Sequence, residues 1–578
     1  MSNAAPGQVT HNEEIKEAIP TLAGTIASTL ANPGADTFSG DDGQFLKFHG
    51  VYPQDDRDKR SAAGRKYIMM VRSRIPGGVM TAGQWRVFDE LAWLYGNNTL
   101  RITTRQTIQF HGVLKANLRL VVKKINECLL STLAACGDVN RNVLAPPTPA
   151  YTKARDEVYR DCVRVADALK PQTRAYYAIW IDGFQLKIDD PFNQAFADPL
   201  YGKTYLPRKF KTAFVIPPVN DLDVFTNDLG FIAILEPGVR GLADGAAPGS
   251  QIPEPGPERL VGYNLVVGGG MGRTHGNQET YPRLASELGF ITPDKLIEVA
   301  KAVLTIHRDF GDRTDRKHAR FKYVVEERGV DWTRAEVEKR AGIKFAPIRP
   351  YRFTTTADLL GWHKSVDGKN FFTLFVETGR VKNEKKIALR EIAEKFPHLG
   401  FHLTTNQNVI LANVNDADKA GINAIFGAHK IPVETQASVL HAAAMACPAL
   451  PTCGLALAES ERILPGLIDR IEKLCGDLGL SDEEIIIRST GCPNGCARPY
   501  MAEIGFVGKA PGRYQVWLGG NVAGTRLNRV WKETVKDPDI ENELRPVLTR
   551  FAKERNPGER FGDFCNRVIL EEQPVAAN

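Results

Sequence analysis

The chain has no apolar run of membrane-spanning length, so nothing in it would thread a bilayer as a helix. Its first residues, MSNAAPGQVTHNEEIKEAIP, lack the basic stretch and apolar stretch of a secretory leader. Cysteine is sparse, nine in 578 residues, far from the density of a disulfide-stapled secreted scaffold. Net charge is only +6, with both signs interspersed, which gives no support to nucleic-acid binding. These shortages describe a soluble protein of a reducing compartment, and a cytoplasmic one is expected. A dinucleotide fingerprint is missing too. Val266-Val-Gly-Gly-Gly-Met-Gly272 begins like one, but its third glycine position is Arg273 and no βαβ unit follows, so it reads as a tight strand turn.

What is present is an ordinary globular composition, 43% hydrophobic and 25% charged, with length for about three or four domains. Four of the cysteines are not scattered. Cys447-Pro-Ala-Leu-Pro-Thr-Cys453 is followed 39 positions on by Cys492-Pro-Asn-Gly-Cys496, two short loops with Pro after the first Cys of each. Four thiolates at convergent spacing can hold one soft metal centre. Zinc prefers tighter knuckles. Pro-rich loops suit a bulky iron–sulfur cube whose sulfurs need shielding and N–H donors. Four unrelated buried cysteines are the bland alternative.

Thr81 is placed to cap a helix with Trp85, Phe88, Leu91 and Ala92 on one face. Leu100 to Val113 then reads as a strand in which Arg101, Thr103, Arg105, Thr107, Gln109 and His111 point one way and Ile102, Ile108 and Phe110 the other. Phe401 to Val414 repeats its Thr-Thr-x-Gln core, again after a helix (Leu389, Ile392, Ala393, Phe396) and a strand (Phe371 to Val376), and Gly262 to Gly270 resembles Arg513 to Asn521. An internal duplication is expected, with one site between two halves. Residues 1 to about 45 read as a polar arm rather than core. Lys209 and Lys211 share a face and Phe210 faces away. Ala246–Pro257 reads as a surface insertion, helices are expected near 291–308 and 334–341 with a basic run between, and the tail after Leu570 as frayed. Arg72, Arg101, Arg105, Arg141, Lys209, Lys211, Arg320 and Lys322 sit near turns or on one face, where cations converge on an anion.

Arg101-x-Thr-x-Arg105-Gln-Thr-x-Gln109-Phe-His111-Gly, Asn140-Arg-Asn-Val, Pro207-Arg-Lys-Phe-Lys-Thr and the cysteine loops ending in Thr-Gly-Cys-Pro-Asn-Gly-Cys resemble the sirohaem and iron–sulfur reductases of sulfite and nitrite. The resemblance runs from about residue 45 to 570. Within that family it is closest to the haemoprotein (beta) subunits of NADPH-dependent assimilatory sulfite reductases. It implies a [4Fe–4S] cluster on Cys447, Cys453, Cys492 and Cys496, with Cys496 also the axial ligand of the sirohaem iron. It implies macrocycle contacts at Arg101, Arg105, Gln109, His111, Arg320, Lys322 and Asn494, and substrate-anion residues at Arg72, Arg141, Lys209 and Lys211. The implied reaction is six-electron reduction of sulfite to sulfide. Nitrite reduction to ammonia is the rival within the class, and Lys211, where nitrite-reducing relatives tend to carry Asn, favours sulfite. Electrons would come from a flavoprotein (alpha) subunit that carries FAD and FMN and oxidises NADPH, or from a ferredoxin, and the N-terminal arm would help dock it. A colourless zinc-stabilised binding protein is the rival outside the class. The expected fold is α+β, with pseudo-twofold mixed sheets around the cofactors: an N-terminal segment (1–59), a split ferredoxin-like module (60–133 and 360–434), a central sirohaem and substrate domain (134–359) and a C-terminal cluster domain (435–578).

Overall fold

The computed structural model describes residues 8–62, 64–149, 154–172, 180–181, 184–185, 196–239, 255–434 and 436–572. The expected insertion at Ala246–Pro257 lies outside them except for the start of a strand, and so does the end of the tail. Two five-stranded sheets come from the two copies of the repeat. One runs Val51–Asp55, Tyr67–Arg72, Ile108–Val113, Leu100–Ile102 and Arg380–Val381; the other runs Gly361–Lys364, Asn370–Leu374, Val409–Val414, Gly400–Leu403 and Val79–Thr81. The order is the same element for element, and each sheet ends on a strand lent by the other copy. Arg380 pairs with Arg101, and Thr81 pairs with Gly400. Neither half can leave without stripping an edge from its partner.

The helices on these sheets form where the periodicity placed them. Ala82–Tyr95 opens with a capping box: the Thr81 hydroxyl accepts from the Gln84 backbone N–H at 3.2 Å, and the Gln84 side-chain Oε1 accepts from the Thr81 N–H at 3.0 Å. Trp85, Phe88, Leu91 and Ala92 are all buried, and the Trp85 ring stacks on Phe401 of the other copy at 5.0 Å. The matching helix, Asn383–Lys395, buries Leu389, Ile392 and Ala393 in the same core.

Leu100–Val113 is not one strand. It is a hairpin whose turn, residues 103–107, closes through Thr103 N to Thr107 O at 2.9 Å, with Gln106 at φ 51°. The two-faced reading survives because Arg101 pairs directly with Gln109 and Ile102 with Ile108. The echo at 400–414 is the same hairpin, closed by Thr404 N to Asn408 O at 3.0 Å with Gln407 at φ 76°. The repeated Thr-Thr-x-Gln is therefore turn chemistry. The second duplicated pair lies in two further sheets. Thr212–Val215 runs parallel to Leu229–Val239, followed antiparallel by Pro255–Val267 and Ser286–Ile291. Ile487–Thr490 runs parallel to Ile504–Ala510, followed antiparallel by Arg513–Leu518 and Arg529–Lys536. Among the described residues only the latter sheet gains a fifth strand, Met445–Ala446, at its edge.

Two sequence expectations change. Residues 8–48 do not form a free arm. Helices His11–Ala18 and Gly40–Phe48, with Leu22 from the turn after the first, bring Ile15, Leu22, Phe45 and Phe48 into one core with Tyr205, Phe210 and Phe231. Lys16, fully enclosed, pairs with Glu13 at 2.5 Å and donates to Leu206 O at 2.9 Å. The apolar residues there are too widely spaced among polar ones to announce a core. The basic run after Leu296–Phe310 leads into a further helix, Phe321–Arg328, before Val330–Ala341. If the N-terminal segment is integral, Phe45→Ala should cost about 3–5 kcal/mol in denaturant unfolding. A loss below about 1 kcal/mol would mean that the segment is only loosely attached.

Candidate functional site

The two cysteine loops leave neighbouring parallel strands. Ala446 pairs with Ser489; Cys447 follows Ala446, and Cys492 comes three residues after Ser489. Gly491 lets them close together. A Cβ there would lie 2.5 Å from both Ala449 Cβ and Ala458 O, so no larger residue fits without moving backbone. The Gly491 N–H points at Cys447 Sγ and the Asn494 amide at Cys492 Sγ, each at 3.4 Å, the kind of donors a cluster-bound thiolate accepts. Burial first, then the neighbouring thiols with Cys496 foremost, push Cys447, Cys453 and Cys492 up, Cys492 to about 11. All four sulfurs therefore lie within electrostatic reach of one another. They are not close enough for one small ion. Four thiolates on a tetrahedral zinc sit about 3.8 Å apart. Among the described residues, the only three or more His, Cys, Asp or Glu ligand atoms mutually within 4.8 Å belong to His441, Asp469 and Glu472. The wider quartet fits a multi-iron cluster. Cys447 and Cys492 are buried, Cys453 is half-buried and Cys496 is exposed, open for a further bond.

Polar residues that carried no signal in the sequence hold these loops. Arg57 donates to Cys453 O, Gly454 O and Ala456 O at 2.9–3.1 Å, and the Thr104 hydroxyl donates to Cys496 O at 3.0 Å. Glu461, whose N–H donates to Cys447 O, takes Arg101 Nε at 2.9 Å and Arg380 Nε at 2.6 Å. Burial alone would raise Glu461, but the two guanidinium groups outweigh it and hold its carboxyl at about 2. Arg101 thus departs from the expected macrocycle contact. Its side chain is fully buried, and its nitrogens go to Glu461, Ala446 O and Ile102 O.

Two of the other expected cations, Arg72 and Lys211, lie within electrostatic reach of the exposed Cys496. Arg72 pairs across strands with Gln109; with the Gln109 amide turned to satisfy both neighbours, it accepts from Arg72 Nε at 3.0 Å and donates to His111 Nε2 at 3.2 Å. His111 is held neutral, pushed to about 3 by burial and then by Arg380. Arg105, at the hairpin turn, donates to Asn227 Oδ1 at 2.9 Å and to Asn142 O, and burial followed by Arg141 lowers it to about 9. Lys209 is pushed far down by burial and then by Arg208, Arg320 and Lys211. Lys211 falls to about 7 through burial, Arg105 and Arg320, with the Cys496 thiol among the charges acting on it. Both lysines lie just before strand Thr212–Val215 and are half-buried, while Phe210 between them is fully buried. Arg320 is clamped by both oxygens of Asp228 at 3.0 and 3.1 Å.

Lys322 points away from this group into three carbonyls, Gly270, Gly272 and Tyr281, so it braces a loop. That loop is the glycine run rejected as a nucleotide motif. A Cβ at Gly269 would strike Phe225 O at 2.1 Å and one at Gly270 would meet Arg320, and Arg273 N donates to Pro493 O at 2.9 Å. The run presses flat between Arg320 and the second cysteine loop. A group bearing many carboxylates fits here: Arg105, Arg141, Lys209 and Lys211 converge with Asp228 as the nearby carboxylate, and Arg105 Nε, Arg320 Nε and His111 Nδ1 are buried without a partner among the described residues.

Comparison with known proteins agrees with this geometry. The "Nitrite/Sulfite reductase ferredoxin-like half domain" model matches residues 62–128 and again 363–429, the two exchanged halves. The "Nitrite and sulphite reductase 4Fe-4S domain" model matches residues 159–345. A curated protein of Lysinibacillus sphaericus, "Sulfite reductase [NADPH] hemoprotein beta-component", is 46% identical over 97% of this chain and 96% of its own length. One of the same name from Myxococcus xanthus is also 46% identical, over 97% of each chain. The chain belongs to the sulfite and nitrite reductase family. The solved "Structure of Mycobacterium tuberculosis NirA protein" shares the fold, with a TM-score of 0.75 over 97% of each chain at 23% identity. No helix among the described residues is long and apolar enough to cross a membrane.

The depressed carboxyl of Glu461 has a pH signature. A carboxyl near 4.5 when unfolded and about 2 when folded contributes stability above pH 4.5, and the contribution disappears as pH falls through about 2. Glu461→Gln should therefore be less stable than the parent at pH 7 by on the order of 3 kcal/mol. The gap should narrow below pH 4.5. A pH-independent gap in denaturant titrations would refute the ion-pair account.

Proposed function

We propose that the chain reduces sulfite to sulfide with six electrons, as the haemoprotein component of an NADPH-dependent sulfite reductase. The observation that carries the reading is the exposed Cys496 of a thiol quartet, opening onto a group of cations short of carboxylates. Cys447, Cys453, Cys492 and Cys496 would hold a [4Fe–4S] cluster, and Arg105, Gln109, His111, Asn494 and Arg320 a sirohaem whose iron shares Cys496. When bound, this pair would pass the donor's electrons one at a time to the substrate sulfur. The chain's own residues do the rest. Arg72, Arg141, Lys209 and Lys211 hold the sulfite oxygens and offset negative charge as electrons arrive. Lys211, lowered to about 7, can hold or release a proton near neutrality as each oxygen leaves as water. Arg101 acts through Glu461 and Lys322 through the glycine loop, as positioning residues. A cytoplasmic location and a flavoprotein partner that carries FAD and FMN and oxidises NADPH belong to the same reading; the relatives' names, an NADPH enzyme's beta-component, support a second component.

The test is an absorption spectrum with iron and acid-labile sulfide assays on protein from a sirohaem-producing host, then sulfite and nitrite turnover with a reduced viologen dye. Isobacteriochlorin bands, cluster iron and sulfite turnover are expected. A colourless protein with one zinc would overturn the reading. Lys211→Ala should keep the spectrum and lose at least about 10²-fold in kcat/KM for sulfite. Normal turnover would remove Lys211 from its role. Cys496→Ser should lose the coupled haem and cluster signals; an unaltered spectrum would exclude Cys496 as the shared ligand.

A further inference from the structure

Three cations beside this site have no part in that reading: Lys47, Arg208 and Arg316. The segments that carry them come together where the N-terminal segment packs on the backbone that leads to Arg141, and Arg316 Nη1 donates to Pro207 O, next to Arg208, at 3.2 Å. Ala134 N donates to Phe48 O at 2.7 Å, and a Cβ on Gly137 would sit 2.8 Å from the Phe48 ring, so helix Gly40–Phe48 lies directly on residues 134–137. Arg141 Nε donates to Gly137 O at 3.0 Å. The substrate segment runs alongside, through Leu206 N to Asp138 O, Phe210 N to Val139 O and Arg141 N to Phe210 O at 2.9–3.0 Å.

Charge along this wall is not balanced. Among the described residues the Arg208 side chain makes no ion pair or hydrogen bond, and Lys47 has only Gln44 Oε1 at 2.6 Å and the Tyr52 ring. Asp138 is the carboxylate among the strongest charges acting on both. It is already taken by Arg316, at 2.8 and 3.0 Å, and by Lys16 at 3.6 Å. Burial and then Arg316 depress Lys47 to about 8 and Arg208 to about 10. Half-buried cations that repel one another, with one shared carboxylate, are a site awaiting an anion. Cys496 acts on Arg72 and Lys211, whereas Arg316 and Asp138 are the foremost charges at Lys47 and Arg208; Arg141 acts on Lys47 and Arg208 and also on Lys209 of the inner group.

We infer that Lys47, Arg208 and Arg316 form an outer oxyanion site, joined through Arg141 to the inner cations, that captures a small dianion such as sulfite or phosphate before it reaches Lys209 and Lys211. The inference rests on the sulfite reading for its natural ligand. The same oxyanion chemistry could be met by a carboxylate of the bound macrocycle, and the experiment separates the two. Inorganic phosphate is titrated calorimetrically into the holoenzyme, parent against Lys47→Gln, with haem content read from the spectrum and sulfite KM and kcat from dye-driven turnover. The expected result is phosphate binding weakened about tenfold and a sulfite KM raised by a similar factor, with the loss carried in KM rather than kcat. Haem content should be unchanged, and Lys47→Arg should restore both constants. Unchanged phosphate binding and KM would overturn the site. Lost haem with normal KM in the haem-bearing fraction would assign the cations to the ring and overturn it equally. Should the parent bind phosphate but reduce no sulfite, the functional reading fails while the phosphate comparison still decides the site.

Discussion

One buried carboxylate joins the parts of this protein. Glu461 sits just beyond the first cysteine loop and accepts from Arg101 of the first repeat and Arg380 of the second. Taking one carboxylate and two guanidinium groups out of water is costly, and the arrangement holds only because each finds its partners at hydrogen-bonding distance. Arg380 and Arg101 are also strand partners. The exchange of edge strands between the halves and the position of Cys447 are therefore set by the same contact. Moving either half would misplace a thiol.

The duplicated framework divides labour by what each copy keeps. The first hairpin turn carries Arg105 toward the site; at the corresponding place the second carries Asn406, which is spent on Thr356 O and Asp358. Of the two duplicated outer sheets, among the described residues only the C-terminal one gains a strand at its edge, and the cysteine loops leave from that added strand and its neighbour. The central copy supplies cations and a flat glycine run in place of thiols. A surplus of positive charge faces an exposed sulfur, and low local dielectric magnifies both the repulsion among those cations and the attraction of an anion placed between them.

Much of this was readable before any coordinates. The capped helix after Thr81, the repeat and the cysteine quartet all rest on local rules of capping, periodicity and spacing, and each is found. Readings that treated an extended-looking segment as uniform went astray. Thr103–Thr107 has the polar alternation of a strand but closes as a turn, and nothing local marks Gln106 as a left-handed residue. The glycine run at 268–272 was legible as a turn, but not as a wall of the site, since its partners lie some fifty residues away at Arg320 and more than two hundred away at Pro493.

Residue order alone settles the chemistry available: four thiols in two short loops, a set of cations on and near one hairpin, and two copies of one module. Those follow from residue type and short-range spacing. Tertiary structure alone decided which cations serve which end. Arg101 looked like a ligand-facing residue and became the partner of Glu461, Lys322 turned to three carbonyls, and Lys47, in a segment that read as a loose arm, arrived beside Arg141. The reason is that a charged side chain goes where its desolvation is best compensated, and the compensating groups here come from strands, helices and loops hundreds of residues apart.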